Sequence, residues 1–172
     1  MKFNKKVEEI LNKQVNAEFW SAYMYLSMAA WFESKGLKGF ANWMRVQFQE
    51  ETAHALKIHN YIITRGGEAK LEKLDAVPVE WKNIMEVFEE TYKHECKVTD
   101  MIHKCYNVAA DERDHASTNM LQWFIDEQVE EEQNVTAIID QLKLIGDNGQ
   151  AIYLLDKELA TRVFVDPTQA AN

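Results

Sequence analysis

Apolar residues recur every three or four positions along most of the chain, the period of a helix with one buried face. The first such stretch runs from about Phe3 to Glu33, with Val7, Ile10, Leu11, Gln14, Glu18, Ala22, Tyr25 and Met28 on one stripe. Ser34-Lys35-Gly36 breaks it, and Gly36 is placed to end the helix in a left-handed cap. A second stretch runs from about Lys38 to Arg65, through Phe40, Trp43, Met44, Phe48, Ala55, Ile58 and Ile62, and stops at Gly66-Gly67. Glu68 to Val79 is weakly periodic, contains Pro78 and reads as a connection. A third helix is expected from about Glu80 to Ala110 and a fourth from about His115 to Ile145, with the polar turn Asp111 to Asp114 between them. Gly146-Asp147-Asn148-Gly149 ends the fourth, and a short fifth helix follows over about Gln150 to Ala160.

Helices of roughly 28 to 31 residues are about 40 to 47 Å long. Short links make the first and second helices one antiparallel hairpin, and the third and fourth another. The middle connection is long enough to run the length of a helix, so the second and third helices can lie parallel. The pattern therefore predicts an all-α fold: an antiparallel four-helix bundle with one long crossover between helices 2 and 3 and a short C-terminal fifth helix, the ferritin-like architecture. Residues 1–172 read as a single domain, with the bundle over about 3–145, the fifth helix over about 150–160 and a flexible tail over 161–172.

Each of the four stripes is interrupted by an acid near mid-helix. Glu18 lies seven residues from both Leu11 and Tyr25, Glu51 from Met44 and Ile58, Glu95 from Phe88 and Ile102, and Glu131 from Phe124 and Ile138. His54 follows Glu51 by three residues and shares its face. A lone Glu on an apolar stripe is usually a boundary residue whose carboxylate reaches solvent, and a lone Glu-x-x-His often arises by chance. Four inward acids at compatible heights are harder to explain in that way. Burying one unpaired carboxylate costs several kcal/mol, and four at one level would be prohibitive without cations. A metal pair supplies that charge, and carboxylates with one imidazole suit Fe²⁺ or Mn²⁺. Di-iron bundles pair two single Glu helices with two Glu-x-x-His helices; here Glu51 and His54 give one such motif and Gln128-x-x-Glu131 stands for the other.

Composition narrows the partners. The formal net charge is -9, which argues against nucleic acid or an anionic membrane and is compatible with cations. No stretch approaches the roughly 20 apolar residues of a membrane span, and no apolar signal core follows Met1-Lys2-Phe3-Asn4. The expected location is the cytoplasm. Cys96 and Cys105 fit no common zinc spacing; nine residues apart on one helix, about 13 Å of rise, they are expected as reduced thiols. His59, His94, His103 and His115 read as solvated or structural, and within Glu130-Glu131-Glu132 the exposed member is expected to be Glu132. Trp20, Trp31, Trp43, Trp81 and Trp123 are more aromatic mass than one bundle core needs, and the fifth helix, with Ile152, Leu154 and Leu155, could bury its face against another copy or fold back.

The segments Asn16-Ala17-Glu18, Gln49-Glu50-Glu51-Thr52-Ala53-His54, Tyr92-Lys93-His94-Glu95, Phe124-Ile125-Asp126-Glu127-Gln128-Val129-Glu130-Glu131 and Asp156-Lys157-Glu158-Leu159 are together specific. Through them the chain resembles the non-haem bacterial-type ferritins over almost its whole length. The resemblance implies a ferroxidase centre that oxidises Fe²⁺ with O₂ or H₂O₂. One iron position would be held by Glu18, Glu51 and His54; the second by Glu51 as a bridge, with Glu95 and Glu131. Gln128 and Tyr25 would stand beside the pair, and a third iron position would use Glu50, Glu127, Glu130 and Glu131. It also implies a hollow homo-oligomeric shell of twenty-four subunits that stores ferric mineral.

Thr52 and Glu131 stand where haem-binding bacterioferritins often carry Met and His, so no haem is expected. Thr118 and Leu121 replace the channel acids of animal ferritins, which leaves the route of iron entry open. The rubredoxin-like cysteines of rubrerythrins are absent, which disfavours, without removing, the alternative of a non-storage di-metal oxidase or peroxidase on the same bundle. A bundle whose inward acids serve interaction rather than chemistry is the other reading.

Overall fold

A computed structural model describes residues 3–169. The described residues form five helices, α1 over Lys5–Ser34, α2 over Lys38–Thr64, α3 over Ile84–Asp111, α4 over His115–Ile145 and α5 over Gly149–Leu159. Among the described residues no strand occurs, and no helix is long and apolar enough to cross a membrane.

The helix ends follow local chemistry. Asn4 caps α1 by accepting from the backbone N–H of Lys6 at 2.9 Å and of Val7 at 3.4 Å. At the end of α1 the N–H of Leu37 bonds back to the carbonyl of Phe32 at 3.1 Å and that of Gly36 to Glu33 at 3.0 Å. This is a Schellman closure, and it requires the φ of +77° that Gly36 adopts. The α3–α4 turn closes the same way without a glycine: Asp114 bonds to Ala109 and Arg113 to Ala110, with Arg113 itself at φ +55°.

The third helix begins four residues later than its periodicity suggests. Asn83 accepts from the N–H of Glu86 at 2.9 Å, and Glu86 reaches back to the N–H of Lys82 at 2.5 Å, a near capping box that fixes the start at Ile84. Trp81, just before it, is buried edge-on against Trp31, with ring centroids 5.9 Å apart.

The crossover between α2 and α3 is extended chain laid along α1. Asn12 donates to the carbonyl of Glu68 at 2.9 Å and accepts from the N–H of Lys70 at 2.6 Å. One turn on, Asn16 donates to Lys70 at 2.9 Å and accepts from Glu72 at 2.7 Å. Two side-chain amides thus satisfy the backbone as a neighbouring strand would. Farther along, Ser27 donates to the carbonyl of Pro78 at 2.6 Å. The crossover therefore delivers the chain to the far end of α1, where α3 starts beside the start of α2: Phe88 lies 5.9 Å from Phe40 and 5.4 Å from Trp43. Helices α2 and α3 run parallel, as expected.

The fifth helix folds back on its own bundle. Leu155 and Leu159 join the core, while Tyr153 and Leu154 stay exposed. Buried Asp156 supplies the cap that Leu37 cannot, its Oδ1 accepting from the N–H of Gly39 at 2.7 Å and of Phe40 at 3.1 Å. The approach is close enough that a Cβ on Gly39 would lie 1.5 Å from the carbonyl oxygen of Asp156. The last three residues of the expected tail, 170–172, lie outside the described residues; within it, Arg162 is half-buried against α2.

The apolar core is divided. One cluster, with Phe32, Phe40, Trp43, Phe88 and Leu142, fills the end where α5 docks. The other, with Val7, Leu11, Ile58, Ile102 and Phe124, fills the opposite end. Between them lies a layer of buried polar side chains.

Candidate metal centre

That layer is where the four acids meet. Glu18, Glu51, His54, Glu95, Gln128 and Glu131 are each at most 3% exposed. Every bundle helix contributes, because the seven-residue spacing that puts each acid on its stripe also puts it at mid-height. Donor atoms of Glu18, Glu51 and His54 lie within 4.8 Å of one another, and so do those of His54, Glu127 and Glu131. His54 stands between the two groups. Its Nδ1 is 3.8 Å from Glu51 Oε1 and its Nε2 is 3.7 Å from Glu127 Oε1. Both distances are too long for hydrogen bonds. Its ring is fixed edge-on against Trp123 and Phe124.

Among the described residues, three buried side-chain atoms have no hydrogen-bond partner: Glu18 Oε2, Glu51 Oε2 and His54 Nε2. Folded proteins seldom leave such atoms orphaned, and these three belong to adjacent residues of ligand type. Two carboxylate oxygens and an imidazole nitrogen fit a divalent first-row metal such as Fe²⁺.

Four other carboxylate oxygens of the layer are held by neutral donors. Gln14 Nε2 donates to Glu18 Oε1 at 2.8 Å, and Gln47 Nε2 to Glu131 Oε2 at 2.8 Å. Gln128 Nε2 reaches Glu95 Oε2 at 3.3 Å, and the Tyr25 hydroxyl donates to Glu95 Oε1. Sequence reasoning placed Gln14 on its stripe without a role and missed Gln47. The signal was present: Gln14 precedes Glu18 by four residues, Gln47 precedes Glu51 by four and Gln128 precedes Glu131 by three.

Electrostatics agrees with the geometry. Burial pushes Glu95 and Glu131 up to about 7, and the neighbouring carboxylates add to the rise. Burial, then the charges of Glu18, Glu95 and Glu131, raises Glu51 well above the usual carboxylate range. Burial alone would lower His54, but Glu127 and the surrounding carboxylates outweigh it and the net shift is upward. Burial and the same carboxylates push the Tyr25 phenol far up, so it stays a hydrogen-bond donor.

The wider set is divided. Glu127 joins the second group. Glu50 is half-buried, raised to about 7 by burial, and bonded to Arg162 Nη2 at 2.7 Å. Glu130 is exposed and in neither group. The expectation for Glu132 is overturned: it is half-buried and accepts from Thr99 at 2.6 Å, leaving Glu130 as the exposed member. Steps of about 100° per residue turn Glu132 toward α3 and Glu130 toward solvent once Glu131 points inward. His94 is structural, as expected. It bonds Ser21 at 2.7 Å, packs on Trp20, and is held neutral by burial, with its pKa near 4. Cys96 and Cys105 are free thiols.

Comparison with known proteins agrees with the fold. Residues 8–145 match the family model of the ferritin-like domain. A bacterial non-heme ferritin of Bacteroides fragilis is 43% identical over 159 residues, covering 92% of this chain and 99% of its own. One of Staphylococcus aureus is 38% identical, covering 94% and 97%. Among solved structures, the chain is similar to an open-pore ferritin of the hyperthermophilic archaeon Archaeoglobus fulgidus, with a TM-score of 0.93, 48% identity and coverage of 94% and 99%. By matched length, identity and fold, the chain belongs to the ferritin family, in its non-haem branch.

Proposed function

We propose that this protein stores iron, oxidising Fe²⁺ inside the bundle and holding the ferric product in a shell of its own copies, in the cytoplasm. One observation carries the reading: unpartnered Glu18 Oε2, Glu51 Oε2 and His54 Nε2 converge in a buried layer. Relatives named non-heme ferritins at 38 to 43% identity support it.

Fe²⁺ is the substrate. Glu18 and His54 hold the first ion, and Glu51, which the charges of Glu18, Glu95 and Glu131 surround, is shared with the second, which Glu95 and Glu131 complete. Gln14 and Gln47 each engage one carboxylate oxygen, of Glu18 and of Glu131, and leave the other for a ligand, while Gln128 and Tyr25 hold the two oxygens of Glu95. Tyr25 keeps its proton and anchors Glu95. Each Fe²⁺ gives one electron to O₂ or H₂O₂, and protons displaced from the raised carboxyls pass to the reduced oxygen. The apolar clusters at either end confine the charge change to the polar layer. Ferric product leaves toward Glu127 and Glu50.

The test is rapid mixing of Fe²⁺ with oxygenated protein. The double variant Glu51→Gln/His54→Ala should lose fast oxidation by more than roughly 100-fold, beyond what loss of a supporting contact causes. An unchanged initial rate would sink the assignment.

A further inference from the structure

The chain beyond α5 turns back onto α2 through one residue. The backbone carbonyl of Arg162 accepts from Asn42 Nδ2 at 2.9 Å, and its guanidinium lies 4.8 Å over the Trp43 ring. Nη1 donates to Gln47 Oε1 at 2.5 Å, and Nη2 donates to Glu50 Oε2 at 2.7 Å. A guanidinium only donates. Gln47 must therefore turn its carbonyl toward Arg162 and its amide inward, where it meets Glu131. One arginine thus fixes the orientation of Gln47, one oxygen of Glu131 and the carboxylate of Glu50.

Glu50 is the next acid beside the group formed by His54, Glu127 and Glu131, and all three act on its charge. The geometry can hold a cation on the side of the layer facing Glu127, yet Glu50, the carboxylate that would complete it, is occupied by Arg162. The pair is partly shielded, with Arg162 22% and Glu50 15% exposed.

We propose that Arg162 is a clasp that competes with a metal ion for Glu50. A cation held by Glu127 and Glu131 gains Glu50 only when the guanidinium lets go. The position is then weaker than the deeper pair by the work of opening the clasp, and an ion passing through it is not trapped. Opening also frees the segment after Arg162 from Trp43. The inference rests on the di-metal reading of the deeper site, and its test separates the two.

Anaerobic titration calorimetry with Zn²⁺, which cannot be oxidised, reads each binding step without turnover. The wild type should show tighter equivalents at the deeper site and a weaker one that depends on Glu50. Arg162→Gln should tighten the weaker step roughly three- to tenfold, the weight of a partly screened charge-assisted pair, and leave in place the tight step at Glu18, Glu51 and His54, which Arg162 does not touch. In a Glu50→Gln background, Arg162→Gln should have no effect on the weaker step. Arg162→Lys, which keeps the charge but not the two-pronged grip, guards against misfolding and should tighten the step less. A weaker step unchanged or weakened in both Arg162 variants overturns the clasp. Absence of the tighter steps from the folded wild type overturns the di-metal reading instead.

Discussion

Gln14 donates its side-chain amide to Glu18 Oε1 at 2.8 Å, leaving Glu18 Oε2 as a buried oxygen with no partner. The contact divides the work of one carboxylate: one oxygen is satisfied by the protein and the other is kept for a ligand. Gln14 is itself buried, and its carbonyl oxygen lies 3.9 Å from the Cys105 thiol.

Gln14→Leu should therefore cost affinity at the first metal position while leaving the fold intact. Removing a partner that orients a ligand typically lowers metal affinity about 10- to 100-fold. Zn²⁺ titration of the variant checks this. Wild-type affinity would show that Gln14 only fills space.

The raised carboxyls make the metal-free bundle sensitive to pH. Burial holds Glu95 and Glu131 near 7, against an ordinary 4.5. Between those values the folded chain keeps protons that the unfolded chain releases. Their stabilising contribution is complete below about 4.5 and is lost as pH rises through about 7. The melting temperature of metal-free protein should fall between pH 5 and 8, and the double variant Glu95→Gln/Glu131→Gln should flatten that fall. Equal slopes in both proteins would contradict the shifts.

The same protons should appear in metal binding. Near pH 6, where these acids are protonated, Zn²⁺ must displace protons that it need not displace near pH 8. Calorimetry in buffers of different ionisation enthalpy counts them. The count should fall as pH rises; a constant count would mean that the acids are already ionised.

The contact between α2 and α5 is a test of the fold. Gly39→Ala places a methyl 1.5 Å from the carbonyl oxygen of Asp156, an overlap that no rotamer relieves. It should destabilise the chain by roughly 1–3 kcal/mol or more. Asp156→Asn, which keeps an acceptor for the N–H groups of Gly39 and Phe40, should cost less. Thermal melts rank the two, and a neutral Gly39→Ala would show that α5 docks elsewhere.

Much of this arrangement was legible in the chain, because a seven-residue register constrains both face and height. Glu18, Glu51, Glu95 and Glu131 were identifiable as one layer for that reason, and the long connection before Pro78 gave the parallel α2 and α3. What escaped was set by contacts between distant residues. Nothing local marks Asp156 as the cap of α2, 117 residues away from Gly39, or Arg162 as the partner of Gln47 and Glu50. The start of α3 was misjudged because Trp81 continues the apolar pattern, whereas Asn83 and Glu86 form the cap. Glu132 was misplaced because Glu130 and Glu132 lie equally far round the helix from inward Glu131, and only the contact with Thr99 of α3 shields one of them.

The most direct test of the account is aerobic loading of the protein with excess Fe²⁺, followed by size-exclusion chromatography read for both protein and iron. The account expects iron to elute with protein in one large particle, about 480 kDa for twenty-four chains of 20.1 kDa, with no precipitate. A small, iron-poor protein peak beside precipitated ferric oxide would contradict storage and leave a di-metal oxidase or peroxidase on the same bundle.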